Sequence, residues 1–219
     1  MSAPINHFSL ANYWAQGDAL SHAVAYLLLA MSLASWAIII AKLYSGVRVR
    51  RAAPAVDAFW NAPTLHDGLA LLKAADREGV FAPLPAAGLA HAGGAGTVAG
   101  EMRRDEQIVR VLRQAITRST HRIEAGLTVL ASIGATAPFV GLLGTVWGIY
   151  HALSTVSLDG VVRIDKVAGP VGEALIMTAF GLVVAIPAVL AYNALNRLNR
   201  LTLAELDGFA HDLHSYFGK

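Results

Sequence analysis

The chain contains no cysteine, and only 15% of its 219 residues are charged, against roughly 25% in typical soluble domains. A chain without cysteine forms no disulfide framework, thiol nucleophile or cysteine metal site. It also lacks the HExxH and GxSxG motifs, which carry the zinc and serine chemistry of many hydrolases. We therefore expect no enzymatic activity, no bound metal and no cofactor.

Charge is missing above all from three long stretches, 19–41, 125–158 and 174–196, which contain no Asp, Glu, Lys or Arg. A helix that spans a membrane needs about 20 mostly apolar residues, so each stretch provides one span. Pro138 interrupts the middle stretch, but neither half is long enough alone, and we predict one kinked helix. The first stretch is too long for a signal peptide, and no basic residue precedes it. The predicted fold class is all-α, a polytopic membrane protein with three transmembrane helices.

The basic residues predict the orientation of these spans. None of the 17 Lys and Arg precedes Lys42, most lie between Lys42 and Arg122, and only Arg163 and Lys166 lie between the second and third spans. Because positive charge flanks the cytoplasmic ends of membrane helices, we expect a periplasmic N-terminus and a cytoplasmic C-terminus. We expect the basic residues to contact anionic lipid heads, and the pI near 9.0 then requires no nucleic-acid partner.

The chain divides into segments that alternate between the membrane and its two sides. They are a periplasmic N-terminal segment (1–18), transmembrane helix 1 (19–41), a cytoplasmic helical region (42–124), transmembrane helix 2 (125–150), a periplasmic loop (151–169), transmembrane helix 3 (170–196) and a cytoplasmic C-terminal helix (197–219). Long helices are expected to extend from the spans into the cytoplasm.

Outside the spans the sequence has a mostly helical pattern. Thr64 can cap a helix that continues for about three turns, whereas Pro83, Pro85 and the glycines at 93–96 predict a loop. Residues 12–18 contain a tyrosine and a tryptophan and are expected to lie along the outer membrane interface, where such rings prefer to sit.

The longest predicted helix runs from about Gly100 to His151. Its cytoplasmic part has one apolar face, and no strong helix breaker separates it from the second span. The alternative is a break at 124–126 that divides it into two helices. The residues of the apolar face are Ile108, Leu112, Ala115, Ile116, Ser119 and Ile123.

Glu173 is the only charged residue between Val167 and Asn196. A carboxylate at the entrance to a membrane-length apolar run is costly, and by default it marks an ion path, a pairing site or a gating element. The alternative is a charge at the water interface that the helix dipole favours. On an ideal helix Glu173 lies about 140° around from Thr178, so the two share one pore face only if Pro170 and Gly172 distort the first turn or if the lumen is wide.

Small residues line one face of the second and third spans. In lipid such faces allow close helix approach, because apolar burial gives helices no drive to associate there. Thr145 and Thr178 lie on these faces, and the Thr145 hydroxyl could bond back to its own helix or face a wet lumen. The glycines assigned to helix packing are Gly134, Gly141, Gly144 and Gly148 in the second span and Gly181 in the third.

A single subunit with three spans encloses no lumen. Two small, faintly polar helix faces instead predict a homo-oligomeric ring around a central pore, because closed cyclic symmetry is usual for homo-oligomers. Thr145, Glu173 and Thr178 would repeat around the pore, and a ring of acidic groups favours cations. A secondary transporter also uses intramembrane acids, but it usually needs internal repeats and more spans.

Two segments of the chain carry a family resemblance. They read ASIGATAPFVGLLGTVWGIY at 131–150 and VAGPVGEALIMTAFGLVVAIPAVLAYN at 167–193. These segments resemble the MotA/TolQ/ExbB proton-channel family, and within it the ExbB branch more closely than the TolQ branch. The resemblance is specific over about 127–200, while 54–100 carries little family signal.

The resemblance implies a function in energy coupling. ExbB-like proteins form a homopentamer in the bacterial inner membrane, with the transmembrane helices of an ExbD dimer in the pore. Proton flow there drives motion that reaches TonB and energises the uptake of iron siderophores and cobalamin across the outer membrane. The TolQ-like alternative is a subunit of the Tol-Pal envelope-maintenance system.

The same resemblance implies roles for individual residues. Thr145, Thr178 and Glu173 match the pore-lining polar positions of the family. In this family the proton-carrying carboxylate is an Asp of the ExbD-type partner. Glu173 is therefore expected to be a lumen or gating residue of the proton pathway and not the principal proton shuttle.

Overall fold

The computed structural model describes residues 18–91, 103–158 and 164–218, and every side chain in these ranges except those of residues 91, 155–158, 164–170 and 173. The described residues form α-helices and their connections, without a β-strand among them. The predicted all-α class is confirmed. The helices are α1 (Ala19–Ala52), α2 (Ala55–Trp60), α3 (Leu65–Ala75), α4 (Pro83–His91), α5 (Arg104–Glu124), α6 (Leu127–Leu158) and α7 (Ile164–Phe217).

Three helices, α1, α6 and α7, are long and apolar enough to cross a membrane. The prediction of three membrane-spanning helices is confirmed. Pro138 lies inside α6, so the middle apolar stretch is one helix and not two short ones. The boundaries of the membrane segments and their orientation stay predictions.

The chain forms two compact units. The first contains the chain up to Ile39 together with Thr128–Tyr192, and the second contains Ile40–Leu127 together with Asn193–Lys219. Helices α1 and α7 each begin in the first unit and end in the second. The first unit therefore holds most of the apolar sequence, and the second holds the shorter helices.

The second unit is built around one hydrophobic core. The predicted apolar face of α5 lies in this core, with Ile116 partly buried and the other five residues buried. Ser119, the polar member of that face, donates a hydrogen bond of 2.8 Å from its Oγ to the Val80 carbonyl, which satisfies its hydroxyl inside the core. Helix α7 contributes Leu206, Phe209, Ala210, Leu213 and Phe217 to the same core.

The connection from α3 to α4 is fixed by a buried carboxylate. Asp76 Oδ2 accepts hydrogen bonds from the backbone N–H groups of Phe81 (2.7 Å) and Ala82 (2.8 Å). These donors lie just before α4, where free N–H groups and the helix dipole favour negative charge. The helix begins at Pro83, where the missing N–H of proline costs no hydrogen bond. The predicted loop at Pro83 and Pro85 is therefore wrong.

The N-terminal cap of α3 matches its prediction. Thr64 Oγ1 accepts a hydrogen bond of 3.1 Å from the Asp67 N–H, and α3 then runs from Leu65 to Ala75. The predicted loop glycines at 93–96 and the predicted interfacial segment, except for Asp18, lie outside the described residues.

The predicted continuous helix from Gly100 to His151 is wrong. Helix α5 ends at Glu124, and α6 begins at Leu127. Gly126 lies between them with a φ of 84°, a left-handed conformation that glycine adopts readily and that ends many helices. The alternative break at 124–126 is the correct interpretation.

Two distant side chains cap the end of α5. Lys42 Nζ donates hydrogen bonds to the carbonyl oxygens of Arg122 (3.0 Å) and Ile123 (3.1 Å). Asn199 Nδ2 donates another to the Ile123 oxygen (3.0 Å). The last carbonyls of a helix lack partners within the helix and carry partial negative charge, so these contacts stabilise the break. They also join α1 and α7 to the end of α5.

Candidate functional site

The packing of α6 on α7 is the central feature of the first unit. A Cβ on Gly141 would lie 2.6 Å from the Met177 carbonyl oxygen and 3.1 Å from the Gly181 Cα. A Cβ on Gly181 would lie 2.6 Å from the Ala137 carbonyl oxygen. Only glycine permits this approach, because real Cβ contacts are longer than 3.0 Å. The two backbones therefore touch in the middle of the apolar region.

The other three glycines assigned to packing also lie against neighbouring helices of the first unit. A Cβ on Gly134 would meet Val189 Cγ2 at 2.4 Å, and one on Gly148 would meet Ala174 Cβ at 2.8 Å. Gly144 is slightly less confined, with Met177 Cβ and a methyl group of Val24 both 3.1 Å from its would-be Cβ. The small-residue faces of the two spans therefore pack within one subunit.

The structure brings Thr145 and Thr178 together at this contact. Thr145 is only 4% exposed, and its hydroxyl donates a hydrogen bond of 2.7 Å to the Leu142 carbonyl of its own helix. Thr178 is half-buried, and its hydroxyl donates a long hydrogen bond of 3.4 Å to Thr145 Oγ1. The bonds run from Thr178 through Thr145 to the α6 backbone. A lone pair of Thr178 Oγ1 can then accept a hydrogen bond from a donor on the exposed side of Thr178.

Glu173 lies on the third turn of α7, and its side chain is not among those that the structure describes. The next residue, Ala174, is buried under Gly148, so the backbone at this level of α7 lies against α6. The pore-lining assignment of Thr145, Thr178 and Glu173 stays a prediction.

The remaining faces of α6 and α7 expose large apolar side chains. The helical spacing of α7 predicts that Ile176, Phe180, Val183 and Leu190 lie opposite its small residues. Phe180, Val183 and Leu190 are exposed in the subunit, whereas Ile176 is partly buried. On α6 the exposed large side chains among the described residues are Val129, Phe139, Leu142, Leu143, Val146, Tyr150 and Leu153. Apolar surface of this extent on a membrane-length helix suits lipid or a neighbouring helix.

A hydrogen bond between the residue that caps α1 and a side chain of α6 was not predicted from the sequence. Asp18 caps α1, because its Oδ1 accepts a hydrogen bond of 2.9 Å from the Ser21 N–H. Its Oδ2 accepts a short hydrogen bond from Trp147 Nε1. Burial opposes ionisation of Asp18, but the hydrogen bonds from Ser21 and Trp147, with His151 nearby, lower its pKa from 3.8 to about 2. The capping position of Asp18 is readable from the sequence, but its partner far along the chain is not.

His211 and His214 lie three residues apart near the end of α7, a spacing that can bind a metal only together with further ligands. His214 Nε2 lies 2.6 Å from Asp105 Oδ1, and this contact joins α7 to the first turn of α5. Among the described residues no three His, Asp or Glu side chains cluster as metal ligands.

Comparison with known proteins identifies the family. The model of the MotA/TolQ/ExbB proton channel family matches residues 80–207, which include α5, α6 and both threonines of the α6–α7 contact. The chain belongs to the MotA/TolQ/ExbB proton channel family. With its three apolar helices, this MotA/TolQ/ExbB member is a multi-pass membrane protein.

Relatives within the family carry two names. The chain is 46% identical over 210 residues to the biopolymer transport protein ExbB of Xanthomonas campestris, covering 92% of this chain and 83% of the relative. It is 41% identical over 207 residues to ExbB of Neisseria meningitidis, covering 90% and 92%. It is 31% identical over 221 residues to the Tol-Pal system protein TolQ of Pseudomonas aeruginosa, covering 96% and 93%. The similarity to these ExbB proteins exceeds that to this TolQ.

Proposed function

We propose that this protein is an ExbB-like proton-channel subunit of the bacterial inner membrane, which uses the proton-motive force to energise TonB. Its main support is the similarity to proteins named ExbB, at 41% and 46% identity over at least nine-tenths of the chain. In this proposal five copies form a ring around the transmembrane helices of ExbD. TonB then drives uptake of iron siderophores and cobalamin across the outer membrane.

The threonine pair would form the polar wall of the proton pathway. A protonated carboxyl group on a partner helix can donate a hydrogen bond to Thr178 Oγ1, whose own proton is directed to Thr145. This contact lowers the cost of holding a polar group in an apolar channel, because an unpaired polar group there costs several kcal/mol. Glu173 contributes negative charge near the periplasmic mouth, which attracts protons and other cations.

Substitution of the two threonines tests this role. T178A and T145A are expected to reduce siderophore-dependent uptake at least about fivefold, because each removes a hydrogen bond worth about 1 kcal/mol. E173A should reduce uptake for the electrostatic reason given above. In all three variants the complex should still assemble, as measured by size-exclusion chromatography of the purified protein.

T136A is the matched control. Thr136 is also on α6, but its side chain is exposed and its hydroxyl donates 2.8 Å back to the Ser132 carbonyl. The control should leave uptake unchanged. If T145A, T178A and E173A all support normal growth on siderophore iron, the pore assignment is refuted.

A deletion strain distinguishes the ExbB-like from the TolQ-like function. Loss of this protein should prevent growth on low iron while detergent resistance remains, and the plasmid-borne gene should restore growth. Detergent sensitivity with intact iron uptake would instead assign the protein to the Tol-Pal system.

A further inference from the structure

A groove of ≈ 620 Å³ lies in the second unit where α1 passes the end of α3. Its walls combine apolar side chains of α1 with three arginines, two of them on α1 and one just after α3. The proposed channel function does not involve this groove. The lining residues that carry the argument are Leu43, Tyr44, Val47, Arg48, Arg51 and Arg77.

The apolar wall continues along one face of α1. Ile40, Leu43, Tyr44 and Val47 are between 50% and 66% exposed. Ile40, Tyr44 and Val47 are spaced four and three residues apart and so fall on one face of the helix. This face begins at Ile40, at the end of the predicted first span, and continues past the last residue of that span, Ala41. It can therefore accept an acyl chain at the level where the membrane ends.

The arginines surround the end of this apolar wall. Arg48 is fixed, because its Nη1 lies 3.3 Å from Glu78 Oε1 and its guanidinium packs 5.2 Å from the centre of the Tyr44 ring. Arg51 and Arg77 are exposed. Neither has a carboxylate within ion-pair distance among the described residues. With one glutamate facing three arginines, the groove keeps an excess of positive charge.

We propose that this groove binds an anionic phospholipid of the cytoplasmic leaflet. Arg51 and Arg77 hold the phosphate, since guanidinium groups match phosphate oxygens in two-point hydrogen bonds. The apolar wall formed by Leu43, Tyr44 and Val47 receives the first part of an acyl chain. Basic pockets at the cytoplasmic ends of membrane helices are suited to acidic head groups. The proposal rests on the membrane location and orientation in the proposed function but not on channel activity.

Lipid titration followed by native mass spectrometry tests the site on the full-length protein. The detergent-purified protein is titrated with phosphatidylglycerol and, separately, with phosphatidylcholine. Phosphatidylglycerol should bind more tightly, and R51Q/R77Q should weaken it about fivefold for each arginine removed. R51K/R77K keeps both charges and should bind phosphatidylglycerol more tightly than R51Q/R77Q. This result would show that misfolding does not cause the weaker binding of R51Q/R77Q.

R118Q is the matched control, because Arg118 is an exposed arginine on α5 outside this groove. It should leave binding unchanged. Equal weakening by R118Q, or equal binding of the two lipids, would overturn the proposal. Glycerol phosphate distinguishes a lipid site from a site for free anions: if it displaces phosphatidylglycerol at equal concentration, the acyl chain contributes nothing and the lipid assignment fails.

Discussion

Replacement of Gly181 by alanine tests whether the close contact between α6 and α7 holds the first unit together. The new Cβ would lie 2.6 Å from the Ala137 carbonyl oxygen and 3.1 Å from the Gly141 Cα. Both neighbours are backbone atoms, so no side chain can rotate out of the way. An ordinary contact at this site requires about 3.4 Å, and the helices must separate by several tenths of an ångström. Overpacking of this kind costs about 1–3 kcal/mol.

Gly208 provides the matched control on the same helix. Apart from its chain neighbours and the nearby backbone of its own helix, no described atom lies within 4 Å of its would-be Cβ. Alanine is favoured over glycine inside a helix by about 0.5–1 kcal/mol. G208A is therefore expected to stabilise slightly, whereas G181A destabilises. At about 2–4 °C per kcal/mol for a chain of this size, a cost of about 1–3 kcal/mol should lower the melting temperature of G181A by roughly 2–12 °C relative to the wild type.

The assay is the thermal midpoint of the detergent-purified protein, followed by fluorescence and by loss of the size-exclusion peak. The same variants are then compared for siderophore-dependent growth. Thr178 lies one turn before Gly181, so separation of the helices should also lengthen its hydrogen bond to Thr145 and reduce uptake. If G181A melts together with the wild type, the backbone contact is not as close as described and the packing argument is refuted.

Two further predictions concern the ends of helices. K42M removes two hydrogen bonds from the end of α5 and should lower the unfolding free energy by about 1–2 kcal/mol. K42M/N199A should lower the unfolding free energy by more than the sum of the two single variants, because it leaves the Ile123 oxygen without either donor. K73M, the control at an exposed lysine, should change the unfolding free energy little. Additive effects of K42M and N199A would argue against a shared cap. D18A should destabilise the purified protein by about 1 kcal/mol at neutral pH, because it removes the cap of α1. Folding lowers the pKa of Asp18 from 3.8 to about 2. The ionised Asp18 side chain therefore stabilises the fold fully well above pH 3.8, and this stabilisation is lost as the pH falls towards 2. A difference in thermal midpoint between D18A and the wild type that does not change with pH would contradict this.

The sequence predicted those features that depend on a local pattern. The three spans follow from stretches without charge, the buried face of α5 from its helical spacing, and the start of α3 from the capping position of Thr64. Each of these signals lies within one turn or one helix. They are strong because a membrane and a hydrophobic core both select the same residue types at every turn.

The features that the sequence did not predict depend on contacts between separate segments of the chain, some far apart and others only five and six residues apart. Gly126 alone does not decide whether a helix ends, because an isolated glycine costs only about 1 kcal/mol in a helix. Lys42 and Asn199 donate hydrogen bonds to the last carbonyls of α5, and these bonds favour the end of the helix at Glu124. The start of α4 at Pro83 similarly depends on Asp76, whose carboxylate binds the N–H groups just before it. Neither pairing has a local signature.

The close contact between α6 and α7 has a mechanical consequence for the proposed channel. At Gly141 and Gly181 the backbones meet directly, so no intervening side chain can change rotamer and provide a second packing arrangement. A switch requires an element with two discrete arrangements, and this contact has only one arrangement. If the proposed function is correct, we expect the motion that couples proton flow to work to occur between the α6–α7 pair and the helices of the partner. Thr178 would then stay in place as a hydrogen-bond acceptor while the protonated group of the partner moves past it.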